Sequence, residues 1–167
     1  QARANAVHLQ GYNYFVTKQY NKAAEFSLNA GEIYEEAGYY DEACDVYLAA
    51  GRLYRWRQER TRAIESFEKA LAAARANNSL EYIVEAKLWI AFEQVRVSRL
   101  IDFETMSANL DHIESQMKLA KPRNSVTRRL ELARAWNNID YDPYFSQKYF
   151  EAWLEGAFQE SDDTPAK

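Results

Sequence analysis

The segment AGEIYEEAGYYDEACDVYLAAG, residues 30–51, decides the fold. It opens and closes on the same Ala-Gly pair, and the tyrosine three residues after the first glycine recurs after the second, as Tyr34 and Tyr54. Sliding the chain against itself extends the match in both directions at a period of 20. Gly11, Gly31 and Gly51 form one column, and Tyr14, Tyr34 and Tyr54 a second. Ala23, Ala43 and Ala63 make a third, and Ala30, Ala50 and Ala70 a fourth. Between the two alanines stand Ser27, Tyr47 and Phe67. One such column could arise by chance; four full ones require a repeated structural unit.

The spacing inside a copy is helical. Ala43, Val46, Tyr47, Ala50, Leu53 and Tyr54 step by threes and fours, so they line one broad face of an α-helix. The period predicts helices at about 2–17, 20–37, 40–57, 60–77 and 80–99, joined by turns of about three residues. Gly38 suits the left-handed residue that ends a helix, because it has no Cβ to clash. Its counterparts Gln58 and Asn78 carry side chains, so the boundary at Gln58 is expected to use a different turn or to let the helix run on. Gly31 and Gly51 fall mid-helix, each at a propensity cost of about 1 kcal/mol. Beside Ala30 and Ala50 they make low spots that a bulky side chain of a neighbouring helix can enter.

These residues resemble the tetratricopeptide repeat. The glycine with a tyrosine three on, then aromatic, alanine, aromatic and alanine, is matched by Gly31, Tyr34, Tyr40, Ala43, Tyr47 and Ala50. The first copy has Gly11, Tyr14, Tyr20, Ala23 and Ala30, but Ser27 stands where an aromatic is usual. The third keeps Gly51, Tyr54, Ala63, Phe67 and Ala70, with Arg60 for the first aromatic. A period of 20 instead of 34 looks like the longer-helix variant of SNAP-like adaptors. The resemblance covers residues 7–74 and implies an all-α fold, a right-handed solenoid of antiparallel helix pairs with about eight helices, and an adaptor role.

Beyond the repeats, Ser79 is a plausible cap for a helix whose face carries Leu80, Ile83, Val84, Leu88, Ala91 and Val95. Asp102 caps the next, in which Phe103, Met106, Leu110, Ile113, Met117 and Ala120 form a stripe suited to bundle packing or to a dimer seam. Lys121 and Pro122 end it. Val126, Leu130, Ala133 and Trp136 predict a short seventh helix with Arg128, Arg129 and Arg134 on its other face. Asp142-Pro143 starts an eighth, carrying Tyr144, Phe145, Tyr149, Trp153 and Ala157. The expected organisation is a repeat region over residues 1–100, helices over 101–160 that pack on or extend the stack, and a flexible tail over 161–167.

Composition narrows the function. The net charge is −4, and its acidic excess lies in residues 101–167. A short basic stretch is a poor phosphate-backbone footprint, so nucleic acid is not expected. No apolar run of membrane-spanning length occurs, so no membrane insertion is expected. The compartment is open, with the cytoplasm slightly favoured. His8 and His112 are 104 positions apart with Cys44 between them, which is no metal-ligand spacing, and no cofactor is expected. No glycine belongs to a phosphate-binding loop, and no serine sits in a nucleophile elbow. Glu35, Glu36, Asp41 and Glu42 are explained by helix ends and first turns rather than by hydrolysis. Cys44 shares its column with Ala24 and Ile64 and reads as core.

What remains is a surface. Six acids from Glu32 to Asp45 precede Arg52, Arg55, Arg57, Arg60 and Arg62. The expectation is a non-catalytic scaffold or adaptor that binds another protein or an extended peptide, with acidic partners favoured by the arginines. The expected contact residues are Tyr12, Tyr34 and Tyr54 with Arg52, Arg55, Arg57 and Arg62. The alternatives are a self-assembly module, homodimer or array, and a small-molecule-binding or catalytic helical domain.

Overall fold

A computed structural model describes residues 1–96, 101–121 and 124–162. It contains α1 (Ala2–Val16), α2 (Tyr20–Glu36), α3 (Tyr40–Trp56), α4 (Arg60–Ala76), α5 (Leu80–Arg96), α6 (Phe103–Ala120), α7 (Asn124–Asn138) and α8 (Pro143–Asp162). The chain is all-α among the described residues, and it divides into two compact units, 1–87 and 88–167, with the boundary inside α5.

In the first unit each helix packs on the next, α1 on α2, α2 on α3 and α3 on α4. The alanine columns make this possible. Ala23, Ala43, Ala63, Ala30, Ala50 and Ala70 are all buried, and so small a side chain lets backbones come close. The mid-helix glycines bring them closer still. A Cβ on Gly31 would lie 2.7 Å from Tyr47 Cδ1, and one on Gly51 would lie 2.6 Å from Phe67 Cδ1, so each fully buried ring occupies the space that a side chain would need.

The turns repeat as faithfully as the helices. Lys18, Gly38, Gln58 and Asn78 all take positive φ, at 61°, 81°, 61° and 51°. The N–H of the residue after each reaches back to a carbonyl five positions earlier, Gln19 to Tyr14, Tyr39 to Tyr34, Glu59 to Tyr54 and Ser79 to Ala74, at 2.8–2.9 Å. This is the Schellman closure. The expectation of a different turn at Gln58 is therefore corrected: Gln58 accepts the left-handed conformation, and α3 ends at Trp56 as its neighbours do. Identical packing on both sides of each turn overrides the local preference of one side chain.

The acidic run from Glu32 to Asp45 is partnered by later helices. Lys69 lies 2.9 Å from Glu32, Asn77 donates to Asp41 at 3.0 Å, and the Tyr82 hydroxyl donates to Asp45 at 2.8 Å. The Tyr47 hydroxyl donates to Glu35 at 2.6 Å. The Lys69–Glu32 pair is half-exposed and contributes at most about 1 kcal/mol. Cys44 is buried, and its thiol donates to the Ala70 carbonyl at 3.4 Å. Burial first, and then the nearby charges of Asp41, Asp45 and Glu35, push that thiol up to about 12, as befits a core position.

In the second unit α6 packs on α7 and α7 on α8. Asp102 caps α6, accepting from Thr105 N at 2.9 Å and from its hydroxyl at 2.7 Å, which holds the carboxyl below its ordinary value. Met106, Leu110, Ile113 and Met117 are buried inside the unit, so the stripe serves packing and leaves none of the four for a dimer seam. Lys121 ends the helix at φ 49°; Pro122 and Arg123 lie outside the described residues. The arginines of α7 also turn inward: Arg129 sits 3.6 Å from the Trp89 ring centre, and Arg134, 11% exposed, holds Asp111 at 3.0 Å and Glu114 at 2.9 Å. The buried Ser146 hydroxyl donates to the Ala135 carbonyl at 2.8 Å. Asp142 starts α8, its carboxylate accepting from Phe145 N at 3.3 Å. The expected end of the fifth helix near 99, the side chain of Ala157 and the tail at 163–167 fall outside the described residues.

Candidate functional site

The glycine columns also explain where the first unit is open. The ring that covers each mid-helix glycine comes from the residue sixteen positions on, Tyr47 for Gly31 and Phe67 for Gly51. For Gly11 that residue is Ser27. A Cβ on Gly11 would meet Phe26 Cβ at 3.1 Å, the Ala23 carbonyl oxygen at 3.5 Å and Ser27 N at 3.9 Å, but no ring. The Phe26 ring is engaged elsewhere, tilted against Tyr14 with ring centres 5.1 Å apart.

The space so vacated belongs to a cleft of about 550 Å³ between α1 and α3, with α2 as its floor. His8, Gly11, Tyr12 and Phe15 come from α1, and Tyr20, Ala23 and Ser27 from α2. Ala49, Arg52, Leu53 and Trp56 come from α3. The walls are apolar and aromatic, and several stand well clear of the core: Tyr12 is 59% exposed, Phe15 48% and Trp56 76%. Arg52 is the one permanently charged residue of the lining, which contains no carboxylate.

Of the seven residues expected to bind, Tyr12 and Arg52 meet in this cleft. They hold the same place in their copies, forty residues apart, and that place faces the groove over α2. Tyr34 and Tyr54 lie elsewhere, only 6% and 3% exposed. The Tyr34 hydroxyl donates to Asn5 on α1 at 2.6 Å, which ties neighbouring helices together. Burial raises the phenol of Tyr34, with the charge of Glu42 adding to it. Tyr54 is raised by burial too, partly opposed by Arg62, whose guanidinium sits 5.6 Å from its ring centre. Arg62 also pairs with Glu59 at 3.3 Å. Arg57 is the exposed residue that caps the end of α3, and Arg55 is half-buried two residues earlier.

Sequence reasoning passes over Phe15, Leu53 and Trp56. Two signals mark the place: the serine in an aromatic column, and a tryptophan at Trp56 where the neighbouring copies carry Glu36 and Ala76. The described residues hold no group of His, Cys, Asp and Glu side chains arranged for a metal ion, and no helix long and apolar enough to cross a membrane. His8 is the one histidine of the lining, which holds no carboxylate and no cysteine beside it. Compared with family models, with curated proteins and with solved structures, the chain matches none.

Proposed function

We propose that this chain is a non-catalytic helical-repeat scaffold of adaptor type, and that its first unit docks another protein or an extended peptide in the cleft between α1 and α3. The observation that carries this reading is the concentration of exposed Tyr12, Phe15 and Trp56 around one recess with Arg52 at its wall. Aromatic side chains and arginine are the residue types that dominate binding energy at protein interfaces. Rigid helices at fixed spacing hold them apart at little entropic cost to binding. A right-handed superhelix, tetratricopeptide-like in character, is part of the same proposal.

Panning a displayed library of random peptides against the full chain tests it. Peptides that bind wild type should lose about tenfold or more in affinity when Tyr12 and Trp56 are both changed to alanine, as removal of two aromatic anchors entails. A library from which no binder emerges would sink the reading.

Self-assembly is favoured by a different patch: Ile139, Tyr141, Tyr144, Phe145 and Leu154, around the start and the outer face of α8, are all exposed. Light scattering over a concentration series separates the readings. A strict monomer at high concentration removes the second.

A further inference from the structure

The turns of the first unit fall into two sets of opposite charge. Short turns between packed helices reverse the chain, so the first and third, at 17–19 and 57–59, lie at one end of the helices. The second and fourth, at 37–39 and 77–79, lie at the other. Side chains bear this out. Phe15, Tyr20 and Trp56, from beside the first and third turns, line one cleft, and Asn77 of the fourth turn donates to Asp41, just past the second, at 3.0 Å.

At the first end, residues 16–22 and 56–62 bring Lys18, Lys22, Arg57, Arg60 and Arg62 against one acid, Glu59. At the second, residues 36–42 and 76–82 bring Glu36, Asp41, Glu42 and Glu81 and no base. One residue further in, Arg55 adds to the first end, while Glu35 and Arg75 offset each other at the second; the start of α1 adds Arg3 there. Lys18, Lys22 and Arg57 are exposed, and so are Glu36, Glu42 and Glu81.

A body with one basic and one acidic end is complementary to its own copy. Helices of this length hold the two ends about 25 Å apart, at 1.5 Å per residue. That is more than twice the screening length of about 10 Å at 0.1 M salt, so the ends of one molecule act on neighbours rather than on each other. The net charge of −4 opposes random contact between copies and leaves end-to-end alignment as the favoured orientation.

We infer that the basic end, at the first and third turns, receives the acidic end, at the second and fourth turns, of a second copy of this chain, so that copies join head to tail. The contact pairs two different surfaces, so it does not close as a two-fold dimer and leaves an end for a third copy. It is independent of the occupant of the cleft and of the exposed side chains around α8.

Sedimentation velocity of the full chain over a concentration series tests it. At about 0.01 M salt, where charges act over about 30 Å, the average mass should rise with concentration. At about 0.15 M, where they act over about 8 Å, association should weaken about tenfold or more. Two triple variants single out the contact. Lys18→Glu, Lys22→Glu and Arg57→Glu together make both ends acidic; Glu36→Lys, Glu42→Lys and Glu81→Lys together make both basic. Each variant alone should be monomeric at low salt, and an equimolar mixture should associate, because every end again has a complement. Circular dichroism checks that both remain helical; should either unfold, the salt series of the wild type decides.

A wild type that stays monomeric at low salt up to its solubility limit would overturn the inference. So would self-association of either folded variant alone, or a mixture of the two no heavier than its components. Association that holds or strengthens as salt rises would overturn it as well, and would move the contact to the apolar side chains around α8.

Discussion

Copies two and three of the repeat carry a buried ring where copy one has Ser27, and the difference decides which mid-helix glycine has a ring packed against it. Over Gly31 and Gly51 the rings of Tyr47 and Phe67 close the space between helices. Over Gly11 position 27 is a serine, no ring packs against the glycine, and Gly11 lines the cleft. The backbone plan is the same throughout: helices and three-residue turns in register, each turn closed by the same left-handed residue. A repeated scaffold can thus acquire a pocket by losing one side chain, because the neighbouring copies keep the walls in place.

The largest test of that comparison opens a second recess. Tyr47→Ser removes a fully buried ring that covers Gly31 and whose hydroxyl bonds Glu35, and should cost about 3–5 kcal/mol, the range for removing a large buried aromatic. Urea denaturation measures it; a loss below about 1 kcal/mol would show that the ring does not close the space as the packing implies.

Next come the glycines themselves. Gly51→Ala forces a methyl into the Phe67 ring and should destabilise by about 1–3 kcal/mol, even though alanine is the better helix former. Gly11→Ala meets no ring, its tightest neighbour being Phe26 Cβ at 3.1 Å, and should stay within about 1 kcal/mol of wild type as the propensity gain offsets that contact. Paired thermal melts check this, and equal losses at the two sites would erase the distinction between filled and open copies.

The turns should give smaller effects of opposite sign. Gly38 has positive φ and open space around its missing Cβ, so Gly38→Ala should cost about 1 kcal/mol from backbone strain alone. Gln58 already bears that strain, and Gln58→Gly should stabilise by up to about 1 kcal/mol. Denaturant midpoints of the two variants should move in opposite directions. Movement in the same direction would mean that the two turns are not equivalent.

The smallest effect at neutral pH concerns Cys44. Its thiol is raised from an ordinary value near 9 to about 12 by burial and then by its acidic neighbours. A raised acid favours the folded state while both states are protonated, so this contribution is fully present below about pH 9. It is lost as pH rises toward 12, where the unfolded chain has already released its proton. Cys44→Ala should therefore flatten the alkaline part of the stability profile, and at pH 7 the native thiol should resist an aromatic disulfide reagent until the chain unfolds. Rapid labelling of the native protein would place Cys44 outside the core.

Much of this fold is legible in the residues because each repeated feature answers a need that every copy shares. Gly31 and Gly51 make room for a ring, Ala23, Ala43 and Ala63 permit close backbones, and Asp102 and Asp142 bond the free N–H groups of a first turn. Tyr34 and Tyr54 recur for the same reason, and they are buried because packing is what every copy requires. A binding surface follows the opposite logic. Ser27 and Trp56 stand out as departures from their columns, but a departure has no direction until the helices are in place.

By itself the sequence determined the number and spacing of the helices, the close-packing role of the glycines and the core place of Cys44. Local periodicity and the steric limits of single residues suffice for these. Tertiary structure alone decided that Gln58 makes the same turn as Gly38, that the α6 stripe and the α7 arginines are spent inside their own unit, and that Tyr12, Phe15, Arg52 and Trp56 surround one cleft. Those outcomes depend on which faces of separate helices meet, a quantity set by the packing of residues far apart in the chain.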